Sequence, residues 1–226
     1  LYWIRRAPLQ ITYLLLLLLL NQVFLTSDKF FTWGWKYKKN HHPIGILQNI
    51  DKRPYKISNN INKILIVHPN LEKQRFVYND SFRYEKSIQV GQEIIKTCKE
   101  SNFKNIVLRF HHEDYDYLKK NTKLYSKYYS GVRIDNGRNR ISNKIDDNTL
   151  VIFTYFSSGF LELISLNCKC LSIFNLDKKF FHPKFHNRIK LLEKDKIIFN
   201  KKRILSKHVK KLIQKDELYF KKNKIS

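Results

Sequence analysis

Alanine occurs once, at Ala7, and methionine nowhere; glycine is held to six positions, proline to five and cysteine to three. Each shortage excludes something. Cys98, Cys168 and Cys170 make an odd count with neither a C-x-x-C pair nor Cys/His ligand spacing, which argues against a disulfide framework and against a zinc site. They read as small core residues of a reduced, intracellular protein. The glycines form no G-x-G-x-x-G, no P-loop lysine motif and no G-x-S-x-G elbow, so dehydrogenase, ATPase and hydrolase readings lose their main support. With no methionine and Leu1 in first place, the expectation is a non-standard start codon or a fragment of a longer reading frame.

Lysine, asparagine, isoleucine, tyrosine and phenylalanine fill the places left, a bias that matches an AT-rich coding sequence. The net charge of +25 would ordinarily point to nucleic acid or to an anionic membrane surface. The basic runs, Lys36 to Lys39, Lys119-Lys120, Lys201 to Arg203 and Lys221 to Lys224, are short and scattered, and none interleaves with aromatics as a nucleic-acid motif does. The excess is therefore read as lysine spread over solvated faces, and no specific nucleic-acid partner is expected. At 226 residues, 42% of them hydrophobic, the chain can build one good-sized α/β core with appendages.

Residues 1–27 differ from the rest. Arg5-Arg6 precede the apolar run Ile11 to Leu20, with leucine at every position from Leu14 onward, in the order of a charged n-region and an apolar h-region. Asn21-Gln22 interrupt the run before the roughly 20 apolar residues that span a bilayer, and no small-residue cleavage site follows. A signal segment and a membrane-associating segment are two readings. The preferred third is a truncated or frame-shifted start, with homologous sequence resuming near Asp28.

The most informative stretch is Leu150 to Asn175. Leu150, Val151, Ile152 and Phe153 have the length and composition of a strand buried on both faces, ending at Thr154. Tyr155 to Gly159 then bring two adjacent serines to the start of a short helix. Ser157 and Ser158 thus lie where free backbone N–H groups and the helix dipole favour an anion, or where a serine simply caps the helix. Glu162, one turn further, can accept from a ribose or sugar hydroxyl. The strand Cys170 to Phe174 returns parallel, giving a β-α-β unit with the Ser-Ser loop at the carboxyl edge of the sheet.

Elsewhere the aromatic segment from Asp28 to Trp35 and the Asn- and Pro-rich linker to Asn60 lead into the main domain, 61–226. Lys63 to His68 and Asn105 to Phe110 read as strands around a helix from Tyr84 to Ser101, and Val132 to Asp135 as an edge strand. Arg109, near a strand's carboxyl end, either clamps a diphosphate or pairs with Glu113 or Asp114. His111 and His112 offer one general-base candidate at most, because adjacent side chains of an extended chain point apart. His182 and His186 stand four apart but Pro183 interrupts the helix, and no acidic partner completes a metal set. Arg188 to Lys194 reads as a helix, Lys196 to Phe199 as a last strand, and Ile204 to Lys222 as a basic amphipathic helix closing the sheet. The expected fold is α/β, a Rossmann-like, mostly parallel sheet with flanking helices.

Asp28 to Trp35 and the run Thr154, Tyr155, Ser157, Leu161, Glu162, Leu163 and Phe174-Asn175 resemble the transferases of bacterial surface-carbohydrate biosynthesis that are related to GT-B glycosyltransferases. The resemblance implies a domain equivalent to the C-terminal half of a GT-B enzyme. Its partners would be a nucleotide-activated sugar donor and a glycan or lipid-linked acceptor, and no further cofactor is implied. The donor-site residues it points to are Arg109, Thr154, Ser157, Ser158 and Glu162; it names no catalytic base and no metal ligand. It places the protein in the cytoplasm, with the inner face of the cytoplasmic membrane as a second location. Two other readings stand beside it: an inactive remnant or binding module of such an enzyme, and a basic protein held at a membrane surface by its leucine-rich start and lysine faces.

Overall fold

The computed structural model describes residues 29–32, 39–43, 46, 49, 51–56, 58–69, 81–111, 131–173 and 186–219. The expectations for residues 1–27, the Trp33 to Trp35 cluster, the loop after His68, His112, the Tyr-rich 116–129 segment, Phe174-Asn175 and His182 lie outside them. The chain divides into two compact units, residues 1–52 and 53–226. In the first, β1 (Phe30–Thr32) pairs in parallel with β2 (His41–Pro43). Pro43, placed by composition in a linker, closes a strand instead, a position where its missing N–H costs no ladder bond.

The second unit is built on a parallel sheet of six strands. β3 is Lys63–Val67, β4 Ile106–Arg109, β5 Arg133–Asp135, β6 Thr149–Phe153, β7 Lys169–Ile173 and β8 Ile198–Phe199. Their spatial order is β5-β4-β3-β6-β7-β8. Counted within this sheet, that is the doubly wound order 3-2-1-4-5-6, whose direction of winding reverses between β3 and β6. The α/β Rossmann-like expectation is met, with β5 as the edge strand expected from Val132 to Asp135.

Four helices flank the sheet among the described residues: α1 (Ser81–Glu100), α2 (Ser158–Ser165), α3 (His186–Lys194) and α4 (Lys202–Ile213). The alternation of side chains along each strand sorts them into two layers. Ile64, Ile66, Leu150 and Ile152 pack with Val90 and Ile94 of α1 and with Leu205 and Val209 of α4. Leu65, Val67, Val151 and Phe153 pack with Phe160 and Leu163 of α2 and with Ile189 of α3. Every residue of β6 is buried, which is why its sequence is apolar without alternation.

The glycine shortage shows at the helix ends. The left-handed residues that follow α1, α2, α3 and α4 are Asn102, Asn167, Lys196 and Lys215, with φ of 56°, 59°, 57° and 61°. Glycine is the common choice there; asparagine is the usual substitute, and lysine is held at the cost of backbone strain. At the far edge, β8 is two residues long and meets β7 only at Ser172 and Ile173. Beyond its start, the Tyr219 hydroxyl receives the Cys170 N–H at 2.8 Å and donates to the Cys170 carbonyl at 2.7 Å. The last helix ends at Ile213, short of the expected Lys222, and the turn that follows it carries Tyr219 to the sheet.

Candidate functional site

In an open α/β sheet, ligands bind outside the carboxyl ends of the strands where the winding reverses. Here that crevice lies beyond Val67 of β3 and Phe153 of β6, a neighbouring pair in the ladder. The residues that follow them are His68 and Thr154, and both are buried. The Thr154 N–H donates to the Val67 carbonyl at 3.0 Å, and the His68 N–H to the Arg109 carbonyl at 3.0 Å, so each carries the ladder one residue past its strand.

Their side chains meet under the crevice. His68 Nδ1 lies 3.0 Å from Ser87 Oγ, which lies 2.5 Å from Thr154 Oγ1; the threonine hydroxyl donates to the Val67 carbonyl at 3.0 Å. A relay running from His68 Nδ1–H through Ser87 and Thr154 to that carbonyl uses all three contacts. The imidazole stacks on Phe110, centroids 5.2 Å apart and planes 14° apart, with α1 passing over its other edge at Gly91. A Cβ on Gly91 would stand 2.7 Å from His68 Nε2. Burial drives the His68 pKa down to about 3, so the ring is neutral at physiological pH and a poor proton acceptor. The cluster therefore shapes and stiffens the crevice floor; it supplies no acid or base.

Above the floor stands the loop from Tyr155 to Ser158. Ser157 adopts extended backbone and its Oγ accepts the Phe160 N–H at 3.3 Å, so it caps α2. Ser158 is the first residue of α2 and is exposed; Glu162, on the same helix, is half-buried. Ser172 Oγ donates to the Tyr155 carbonyl at 3.0 Å and ties the loop to β7. Burial raises the Tyr155 pKa, while a hydrogen bond with Ser157 and the positive charge of Arg109 lower it again. Arg109, Tyr155 and Ser157 therefore share one neighbourhood at the carboxyl edge.

The sequence-predicted residues accordingly fall into three groups. Ser157, Ser158 and Glu162 come together on the start of α2 at the winding reversal. Thr154 lies beneath them, its hydroxyl committed to the floor. Arg109 is committed as well: Nη1 pairs with Asp135 at 2.7 Å, and Nη2 donates to the carbonyls of Gly137, at 3.1 Å, and Asn139. Its partner is Asp135 on the neighbouring strand β5, which parallel pairing sets directly beside Arg109; Glu113 and Asp114, the partners expected from the sequence, lie outside the described residues.

Sequence reasoning missed His68 as a floor residue, Ser87 and Asp135. The signal for the first two was Gly91, an interior helix glycine on the buried face, which marks a close approach. Among the described residues no three His, Cys, Asp or Glu side chains gather as a metal site. No helix among them is long and apolar enough to cross a membrane.

Comparison with protein families matches residues 13–217 to the LIC12162 family transferase. The match begins upstream of Asp28, so Leu14 to Leu20 fall inside it, contrary to the expectation that similarity resumes only at Asp28. Neither the curated proteins nor the solved structures give a match.

Proposed function

The chain belongs to the LIC12162 family of transferases, and from that premise we propose that its six-stranded domain binds a nucleotide-activated sugar for glycosyl transfer in surface-polysaccharide synthesis. The observation that carries this reading is the coincidence of two independent features. The serine-bearing start of α2 stands at the one place in the sheet where the strand order reverses. In this reading the backbone N–H groups at the start of α2 and the Ser158 hydroxyl hold diphosphate oxygens, and Glu162 accepts from the ribose. Ser157 caps the helix and so presents those N–H groups. Arg109 acts through its field on the Tyr155 neighbourhood, since its donors are already engaged. Thr154 holds the floor. The glycan or lipid-linked acceptor and the GT-B relationship belong to the same proposal, as does work at the inner face of the cytoplasmic membrane.

Titration of the full chain with nucleoside diphosphates and nucleotide sugars tests it. Ser158→Ala should weaken diphosphate-containing ligands by about 10- to 150-fold, the value of one charge-assisted hydrogen bond, with an unchanged melting temperature. Glu162→Gln should weaken nucleosides more than inorganic diphosphate. Ser157→Ala should cost about 1 kcal/mol of stability as a lost cap. No binding by the parent chain at millimolar nucleotide would overturn the proposal.

A further inference from the structure

A cavity of about 620 Å³ shares no lining residue with the winding reversal. It opens between β8, α4 and the turn after α4. Its apolar floor is Ile198 and Phe199, both buried, and Ile204 stands at its lip with 49% of its surface exposed. A second cavity, about 400 Å³, shares Lys211 and Glu217 with the first and adds Asp216 and Leu218, the latter 53% exposed. Ile204 and Leu218 are thus large apolar side chains left exposed on the linings of two cavities that share residues.

The rim is basic for a reason visible in α4. Ile204, Lys207, His208 and Lys211 recur at i, i+3, i+4 and i+7, so one stripe of the helix faces the cavity while Leu205, Val209 and Leu212 face the core. Four lysines line the main cavity, Lys194, Lys196, Lys207 and Lys211, against the carboxylates Glu193 and Glu217. Glu217 is already engaged: His208 Nδ1 lies 3.0 Å from its Oε2, and Lys196 pairs with its Oε1. Among the described residues no carboxylate pairs with Lys194, Lys207 or Lys211. Among the described residues the cavity thus presents three lysines without carboxylate partners over an apolar floor.

We infer that this corner binds a phosphate-bearing amphiphile, its phosphate held by Lys194, Lys207 and Lys211 and its hydrocarbon laid on Ile198, Phe199, Ile204 and Leu218. Ammonium groups are compact point charges that suit a doubly charged, many-oxygened head better than a single carboxylate. The volume is that of a small-molecule site. A nucleic acid is disfavoured because the ring at the floor, Phe199, is buried and offers no stacking face. This inference is independent of the donor site, since the two share no residue.

The test measures the full chain against inorganic phosphate, a soluble short-chain alkyl phosphate, and vesicles of phosphatidylcholine with and without phosphatidic acid. The alkyl phosphate is expected to bind more tightly than inorganic phosphate, and Ile204→Ser should erase that difference. Lys207→Gln with Lys211→Gln should weaken the alkyl phosphate on the order of tenfold or more, taking about fivefold per lysine. Lys96→Gln with Lys104→Gln, on surfaces away from the cavity, should change it less than about twofold, because distant exposed charges are screened. Melting curves confirm that the variants fold. Vesicle binding that needs phosphatidic acid and is lost with Lys207 and Lys211 assigns the site to a membrane lipid. Binding of the alkyl phosphate alone assigns it to a soluble phosphorylated amphiphile. No alkyl phosphate binding, or an equal loss in the control pair, overturns the inference.

Discussion

Two buried histidines mark two corners of the same sheet, and their neighbours make them different instruments. His68, under the winding reversal, is surrounded by hydroxyls, a phenyl ring and a glycine. His208, at the β8 edge, leans on Phe199 and faces the carboxylate of Glu217. Burial lowers the pKa of both. For His208 the Glu217 carboxylate restores part of the loss, while Lys196 and Lys211 push it down again. Burial also raises Glu217, but hydrogen bonds from Lys196 and His208 outweigh this and hold its carboxyl below the ordinary value. A histidine wrapped in hydroxyls is fixed as a neutral wedge; one that faces a carboxylate in a lysine-rimmed cavity remains responsive to charge. The contrast separates a corner that is stiff and uncharged from one that is open and basic.

The largest effect that tests this contrast is in pH. The folded pKa of His68 lies near 3, below its unfolded value of 6.5, so the unfolded chain takes up the proton first. Its contribution to stability is complete above pH 6.5 and is lost as the pH falls toward 3, by about 1.4 kcal/mol per pH unit for one proton. Urea denaturation of the parent and of His68→Gln across that window should show the variant's slope shallower by one proton; parallel slopes would refute the neutral wedge. His208 has the same sign, and the Glu217 carboxylate makes its share smaller.

Gly91→Ala comes next. Its methyl would lie 2.7 Å from His68 Nε2 and 2.8 Å from Cε1, against a ring already stacked on Phe110. A loss of about 1–3 kcal/mol is expected, in spite of alanine's better helix propensity. In a His68→Ala background the same substitution should cost little or become favourable, a non-additivity that a double-mutant cycle reads directly. Additive costs would mean that Gly91 is constrained by something other than the imidazole.

The smallest effect belongs to the basic corner. Glu217→Gln removes the ion pair with Lys196 but leaves an oxygen to accept from His208. Because the Lys196 side chain is 44% exposed and water screens the pair, the cost should stay under about 1 kcal/mol. A larger loss by thermal or urea denaturation would show that this corner is held by a buried charge.

Much of the architecture was legible because burial writes itself into composition. β6 reads as a buried strand since both its faces are covered, and the stripe Ile88, Gly91, Ile94, Ile95 and Cys98 reads as a helix face since all but the half-buried Ile88 are buried. The start of α2 was legible for a local reason: an N-cap serine bonds three residues ahead. What stayed hidden depends on partners far apart in the chain. Ser87 meets Thr154 across 67 residues, and Arg109 finds Asp135 across 26. Lys169 is a similar case, a lysine inside a strand that is buried because its ammonium reaches the carbonyls of Ser58, at 3.0 Å, and Asp147. Strand register decides the Arg109 pair and tertiary packing the other two, and periodicity encodes neither.

The bond pair between Tyr219 and Cys170 bears on how the molecule avoids its own copies. β8 covers β7 for two residues only, and the uncovered backbone of β7 would otherwise be a row of open donors and acceptors on which a strand from another chain could nucleate. A single phenol oxygen occupies that row, giving one bond and receiving one as a passing strand would. It is a one-atom counterfeit of a seventh strand, and Tyr219→Phe should leave the fold standing while turning this edge into a seed for intermolecular sheet growth, seen as concentration-dependent aggregation that the parent chain does not show.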